Sequence, residues 1–216
     1  MIKALIFDLD NCLAPANEVG EQLVEPAFTA IRNANRGTVS EETLREAFSE
    51  CWRHPFDFVA AKYGFSNEMV SAGWDAFSQM EVETPMKGYP DLDVLPELTP
   101  DLYLVTSGFR RLQQSKIRAL GFEHLFKEIF IDAIDEPERK GKEGIFRSIM
   151  AAADLSPEEV IVVGDNPDSE IEVGNKLGIR TVQILRPGVP HGDMATHHIS
   201  TLAELKAMVQ NSGGRA

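Results

Sequence analysis

The chain has 216 residues, 43% of them apolar and 25% charged, with a net charge of -13. That length can bury one large domain, or a domain carrying an insert. The acidity speaks against a nucleic-acid polymer or an anionic membrane as partner, because either needs a positive face. The two cysteines, Cys12 and Cys51, have neither metal-site nor disulfide spacing. The short apolar start is interrupted by Asp8 and reads as neither a signal peptide nor a membrane span, so a cytoplasmic protein is expected.

The first apolar run, Ile2 to Phe7, predicts a buried strand that ends on Asp8-Leu9-Asp10. Helical patterns follow over 21–35, 41–53, 56–63 and 67–79, with Ser40 and Ser66 as N-caps for the second and fourth. The chain then rejoins its first unit near Pro85 to Pro90. A strand over Leu102 to Val105 leads into a helix from Arg110 to Leu120, stopped by Gly121. Next come a strand at Ile129 to Ile131, a helix from Glu143 to Ala153 and a strand at Val160 to Val163. A helix from Ile171 to Leu177, closed by Gly178, precedes a strand at Thr181 to Leu185. His197-His198 reads as a loop. Thr201 and Glu204 form a capping-box pattern for a last helix over 202–209.

Short, continuous apolar strands alternating with helices predict an α/β protein with a doubly wound parallel sheet. The helices between the first two strands form an insert. The expected division is a core over 1–16 and 85–210, a helical cap over 17–84 and a flexible tail over 211–216. No repeat or heptad pattern is present, so the oligomeric state is not legible.

In open α/β sheets the ligand lies beyond the carboxyl ends of the strands. The residues expected to converge there are Asp8 and Asp10, Thr106-Ser107-Gly108, and Gly164-Asp165. Asp8 and Asp10 are two apart on an extended segment and so can face the same side. A hydroxyl and backbone N–H groups ahead of the helix at Arg110 suit an anion. Carboxylates from separate strands suit a hard divalent cation, with no Cys/His cluster to favour zinc.

With these residues in place the chain resembles the haloacid dehalogenase superfamily, most of whose members are magnesium-dependent phosphohydrolases. The resemblance rests on Phe7-Asp8-Leu9-Asp10-Asn11-Cys12-Leu13, Leu104-Val105-Thr106-Ser107-Gly108, Arg139 to Phe146, and Val162 to Glu170. It implies strand order 3-2-1-4-5, with the helical insert as a cap. Cys12 stands where threonine or valine is usual, at a position that packs the turn. Gly141 and Glu143 replace two customary prolines.

By this resemblance Asp8 is the nucleophile and Asp10 the general acid and base. Thr106, Ser107 and Gly108 bind phosphate. Alignment on Phe146 selects Lys140 as the lysine that binds phosphate and orients Asp8, with Lys142 as the alternative. Mg²⁺ would be held by Asp8, the Asp10 carbonyl and Asp165, supported by Glu170, with Asp168 competing for that role. The implied reaction is hydrolysis of a small phosphorylated metabolite through an aspartyl-phosphate. A phosphomutase, or a non-catalytic Mg²⁺- or partner-binding domain, is the alternative. Dehalogenases lack the second aspartate that Asp10 supplies.

The opening Asp8 to Pro15 also resembles pyrimidine 5′-nucleotidase-type members. A nucleotide monophosphate, phosphoglycolate and sugar phosphates are therefore the candidate substrates. Trp52, Arg53, His54 and Lys87 could line the pocket, although packing, a solvated face, a helix end and a hinge are the stronger readings. Arg110 and Arg111 are candidates for the non-phosphate end of the substrate, or are simply exposed.

Overall fold

A computed structural model of the chain describes residues 1–212. The strands are β1 (Ala4–Phe7), β2 (Asp101–Gly108), β3 (Glu128–Ala133), β4 (Val160–Gly164), β5 (Arg180–Ile184) and β6 (His197–Ile199). They form one six-stranded sheet in the order β3-β2-β1-β4-β5-β6, with every pairing parallel. The expected order is present and extended by one edge strand.

That strand corrects the reading of His197-His198 as a loop. His197, His198 and Ile199 pair with Val182, Gln183 and Ile184. Buried Ile199, packed in the same cluster as Leu202, anchors the pairing. Three residues with one apolar side chain carry too little pattern to be recognised as a strand.

Helices α1 (Glu21–Ala34), α2 (Glu41–Glu50), α3 (Phe56–Lys62) and α4 (Asn67–Phe77) make up the insert. Helices α5 (Arg110–Leu120), α6 (Gly141–Ala152), α7 (Glu172–Lys176) and α8 (Leu202–Ser212) flank the sheet. Asn211 and Ser212 continue α8, and the rest of the expected tail, 213–216, lies outside the described residues. No helix among the described residues is long and apolar enough to cross a membrane.

The strand period of two divides the sheet's side chains between two cores. Leu5 and Phe7 of β1 join Leu104, Ile117, Val163, Leu202 and Leu205 on one face. Ala4 and Ile6 join Val105, Ile145, Phe146, Ile149 and Val162 on the other. Burial on both faces is why these strands read as unbroken apolar runs.

A third core holds the insert together through Val24, Phe28, Ile31, Leu44, Phe48, Phe56 and Met69. Phe28 stacks on Phe48 with ring centroids 4.3 Å apart. Gly73 allows α4 to lie against α3, since a Cβ there would come within 2.3 Å of the Phe56 ring. Ser40 and Ser66 cap α2 and α4 by accepting from the N–H groups of Thr43 and Met69. Phe109 and Ile134, from the loops after β2 and β3, complete this core, and Phe109 stacks on Phe77 at 5.6 Å. The insert is therefore seated on the carboxyl ends of β2 and β3.

The two chain crossings into the insert are tied together. The Glu18 carboxylate accepts from the N–H groups of Lys87 at 2.6 Å and Gly88 at 3.0 Å. Buried Arg186, just after β5, grips Asp91 through two bonds of 2.8 and 2.9 Å and also donates to the Cys12 carbonyl.

Candidate active site

The end of β1 carries Asp8 into the interior, where its N–H donates to the Val163 carbonyl at 3.0 Å. Asn11 then takes a left-handed φ of 54°, and its N–H closes the turn on the Ala14 carbonyl at 2.7 Å. A short-chain amide residue tolerates that conformation. Cys12 is buried beneath the turn, and burial pushes its thiol well above the ordinary range, so it packs rather than reacts.

Asp8, Asp165 and Glu170 bring carboxylate oxygens within 4.8 Å of one another. Asp165 follows β4. Glu170 arrives on a wide helical turn over Pro167–Ile171 that precedes α7, where a helix from Ile171 was expected. Gly164 makes room for it, because a Cβ there would lie 2.1 Å from Glu170 Oε1. Asp168, the competing candidate, is exposed, and its N–H donates to the Asn166 side chain at 3.0 Å.

The lysine facing Asp8 is Lys142, not Lys140. Lys142 Nζ donates to Asp8 Oδ1 and to Glu170 Oε2, both at 2.7 Å, while Lys140 is exposed. The cause lies in the turn after β3. Asp132 accepts from the Gly141 N–H at 3.0 Å and from Arg139 Nε at 2.9 Å, and Gly141 turns the chain with φ 68°. Lys142 then shares one helix face with Ile145, Phe146 and Ile149, all buried. Alignment on Phe146 selects Lys140, and the side chain that reaches Asp8 lies two residues later.

Electrostatics mark the cluster as short of positive charge. Burial raises the Asp8 carboxyl to about 7, with Lys142 opposing and Glu170 reinforcing the rise. Burial, followed by the charges of Glu170 and Asp8, raises Asp165 to about 9. Glu170 lies low despite its burial, because the Lys142 ammonium and the Asn166 N–H favour its charged form. Lys142 is likewise held charged against its burial by the two carboxylates. Asp165 Oδ2 is buried with no hydrogen-bond partner, and its nearest cation is Arg53 at 3.8 Å. An orphaned buried carboxylate oxygen beside two further carboxylates fits a hard divalent cation.

Thr106, Ser107 and Gly108 line the same cavity, opposite the carboxylates. The Ser107 hydroxyl is committed to Asp132 at 3.0 Å, so Thr106 carries the hydroxyl that faces the site. Two residues missed in the sequence meet Asp10. Lys116 Nζ donates to both of its carboxylate oxygens at 2.9 Å, and Gln113 Nε2 donates to Oδ2 at 2.9 Å. The available signal was Gln113 and Lys116 three apart on α5, buried on the face that also carries Ile117.

The insert closes the cavity, whose volume is about 480 Å³. Trp52, Arg53 and His54 line it, whereas Lys87 does not. The Trp52 carbonyl accepts from Asn11 Nδ2 at 3.0 Å and the Arg53 carbonyl from Asn166 Nδ2 at 3.3 Å, so both acidic loops hold this segment. Arg139 bridges the two units, donating to Asp132 below and to Asp57 of the insert at 2.5 Å. Arg110 and Arg111 turn away, paired with Glu136 and Glu81.

The chain is similar over most of its length to proteins named as phosphatases. A glyceraldehyde 3-phosphate phosphatase of Methanopyrus kandleri is 32% identical over 203 residues, covering 86% of this chain and 85% of its own. An N-acylneuraminate-9-phosphatase of Rattus norvegicus is 30% identical, covering 97% and 94% of the two chains. The structure of a HAD phosphatase from Thermococcus onnurineus superposes with a TM-score of 0.64 at 22% identity, over 96% of this chain and 98% of that one. The family model for haloacid dehalogenase-like hydrolases matches residues 2–178. With its motifs, its sheet and this match in agreement, the chain belongs to the haloacid dehalogenase-like hydrolase family.

Proposed function

We propose that the chain is a Mg²⁺-dependent phosphomonoester hydrolase that works through an aspartyl-phosphate on Asp8. The observation that carries this reading is the buried Asp8 carboxylate, held by Lys142 between the Asp165–Glu170 pair and Thr106 at the floor of a capped cavity. An oxygen of Asp8 attacks phosphorus as the bond to the leaving oxygen breaks, and Asp10 gives that oxygen its proton. Asp10, now a carboxylate, takes a proton from water. The water oxygen then attacks phosphorus and displaces the Asp8 oxygen. Phosphate leaves, and both carboxyl groups return to their starting states.

Asp8, the Asp10 carbonyl and Asp165 would hold the cation. Both Glu170 oxygens already accept hydrogen bonds, from Lys142 and Asn166, so Glu170 supports the site by fixing those groups. When bound, Mg²⁺ supplies the charge that offsets repulsion between a carboxylate nucleophile and a phosphate dianion. Lys142 and Thr106 bind phosphate oxygens, and Lys142 also aims Asp8.

The leaving group occupies the capped part of the cavity, walled by Phe28, Trp52, Phe58 and Phe109. Aromatic walls and this volume favour a nucleoside monophosphate over phosphoglycolate or a triose phosphate, with a sugar phosphate between them. Displacement of halide from carbon would leave Asp10 and the carboxylate cluster without a task. The test is phosphate release from an aryl phosphate, purine and pyrimidine nucleotides, phosphoglycolate and hexose phosphates, with Mg²⁺ or EDTA, beside Asp8→Asn. Metal-dependent release that disappears in Asp8→Asn supports the reading. A folded, Mg²⁺-binding protein silent on the whole panel refutes it.

A further inference from the structure

Gln113 and Lys116 are buried polar residues on α5 that the reaction above does not use. Gln113 Nε2 donates to three acceptors: Thr106 Oγ1 at 2.6 Å, Asp10 Oδ2 at 2.9 Å and the Ser107 carbonyl at 3.3 Å. Lys116 Nζ lies 2.9 Å from both oxygens of Asp10. One amide nitrogen therefore joins the loop after β1 to the phosphate-binding turn after β2, and one ammonium fixes the plane of the carboxylate.

These contacts settle which atoms donate. The Ser107 carbonyl can only accept, so the amide nitrogen of Gln113, rather than its oxygen, faces this cluster. The Thr106 oxygen must then accept from Gln113. A hydroxyl has a single hydrogen, and with its oxygen occupied in this way that hydrogen is free to be donated into the cavity.

We propose that Gln113 and Lys116 are the positioning pair of this active site: Lys116 holds Asp10 in line with the leaving oxygen, and Gln113 presets the Thr106 hydroxyl as a donor to phosphate. This rests on the phosphatase reading of Asp8 and Asp10. Both are committed to Asp10, Thr106 and Ser107, so the role assigned to them is positioning. Their contribution is orientation, which matters most where proton delivery limits the rate.

The two roles separate by leaving group and by binding. An aryl phosphate expels a stabilised phenolate and needs little proton delivery, whereas an alkyl phosphate needs it fully. Lys116→Met should lower kcat on an alkyl phosphate about 100-fold and on 4-nitrophenyl phosphate less than about 10-fold, with KM within about two-fold. Lys116→Arg should recover most of the alkyl-phosphate loss. Gln113→Leu should weaken inorganic phosphate binding to the Mg²⁺-loaded protein, measured by calorimetry without turnover, by about 5- to 10-fold.

Equal loss on both substrates in Lys116→Met, or unchanged phosphate affinity in Gln113→Leu, overturns the proposal. If Lys116→Met does not fold, Lys116→Gln is read by the same ratio and Gln113→Leu by phosphate affinity. A wild type without phosphatase activity, or an Asp8→Asn variant as active as wild type, removes the phosphatase reading and this role with it. An active wild type, an inactive Asp8→Asn and position-113 and -116 variants that behave as wild type refute the positioning pair alone.

Discussion

Replacing Lys142 by methionine tests the assignment of the motif lysine most directly. The ammonium serves two buried carboxylates, Asp8 and Glu170, each at 2.7 Å. Its loss leaves both without their cation, and breaking a buried pair from one side costs about 3–5 kcal/mol. For a chain of this size, that corresponds to a fall in Tm of about 6–20 °C. Lys140→Met alters an exposed side chain and should stay within about 0.5 kcal/mol of wild type.

The deficit also has a pH signature in metal-free protein. Asp8 has a folded-state pKa of about 7, above its ordinary 3.8. A carboxyl raised in this way stabilises the folded state fully below about pH 4, and that stability is lost as pH rises through 7. Without Lys142 the charged forms of Asp8 and Glu170 are costlier still, so the gap from wild type should be wider at pH 8 than at pH 5. Thermal unfolding of both variants in EDTA at the two pH values, with phosphate release in Mg²⁺, reads the outcome. Lys142→Met should also lose about 100-fold or more of the turnover, and Lys140→Met almost none. Equal effects at the two positions, or a larger effect at Lys140, would refute the assignment.

Asp165→Asn removes a buried carboxyl that the folded, metal-free protein keeps protonated, at a cost, far above its ordinary range. It should raise metal-free stability at pH 8 by at least about 1 kcal/mol and abolish the thermal shift produced by Mg²⁺. A full Mg²⁺ shift in this variant would place the cation elsewhere. Gly164→Ala changes no ionisable group but pushes a Cβ into Glu170, so turnover and stability should fall together, the latter by about 1–3 kcal/mol. Wild-type turnover would show that Glu170 is not needed where it stands. Arg139→Ala cuts the link from Asp132 to Asp57, so amide exchange over residues 52–58 should quicken while α5 keeps its protection. Unchanged exchange would show that this bridge does not hold the cap.

The sheet was legible because its inner strands are buried on both faces, and continuous runs such as Ile2 to Phe7 and Val160 to Val163 admit few other structures. The helical insert was legible from its periodicity and from Ser40 and Ser66, whose hydroxyls do cap α2 and α4. Asp8 and Asp165 stood out because each follows such a run directly, and the three-dimensional structure brings them together as the strand-end rule requires.

What the chain alone left open depended on direction rather than on residue type. Two lysines lay within reach of the site, and only the turn pinned on Asp132 points Lys142 inward and Lys140 to solvent. Glu170 and Asp168 lie two residues apart, and only the wide turn before α7 buries the former. Gln113 and Lys116 meet Asp10, a partner more than a hundred residues earlier in the chain, only because α5 packs them there. The β6 pairing, the Arg139 bridge and the seating of the cap on Phe109 and Ile134 are of the same kind. Local pattern determines which elements form. Contacts between distant residues depend on how those elements pack, and only the packed chain brings the partners within reach.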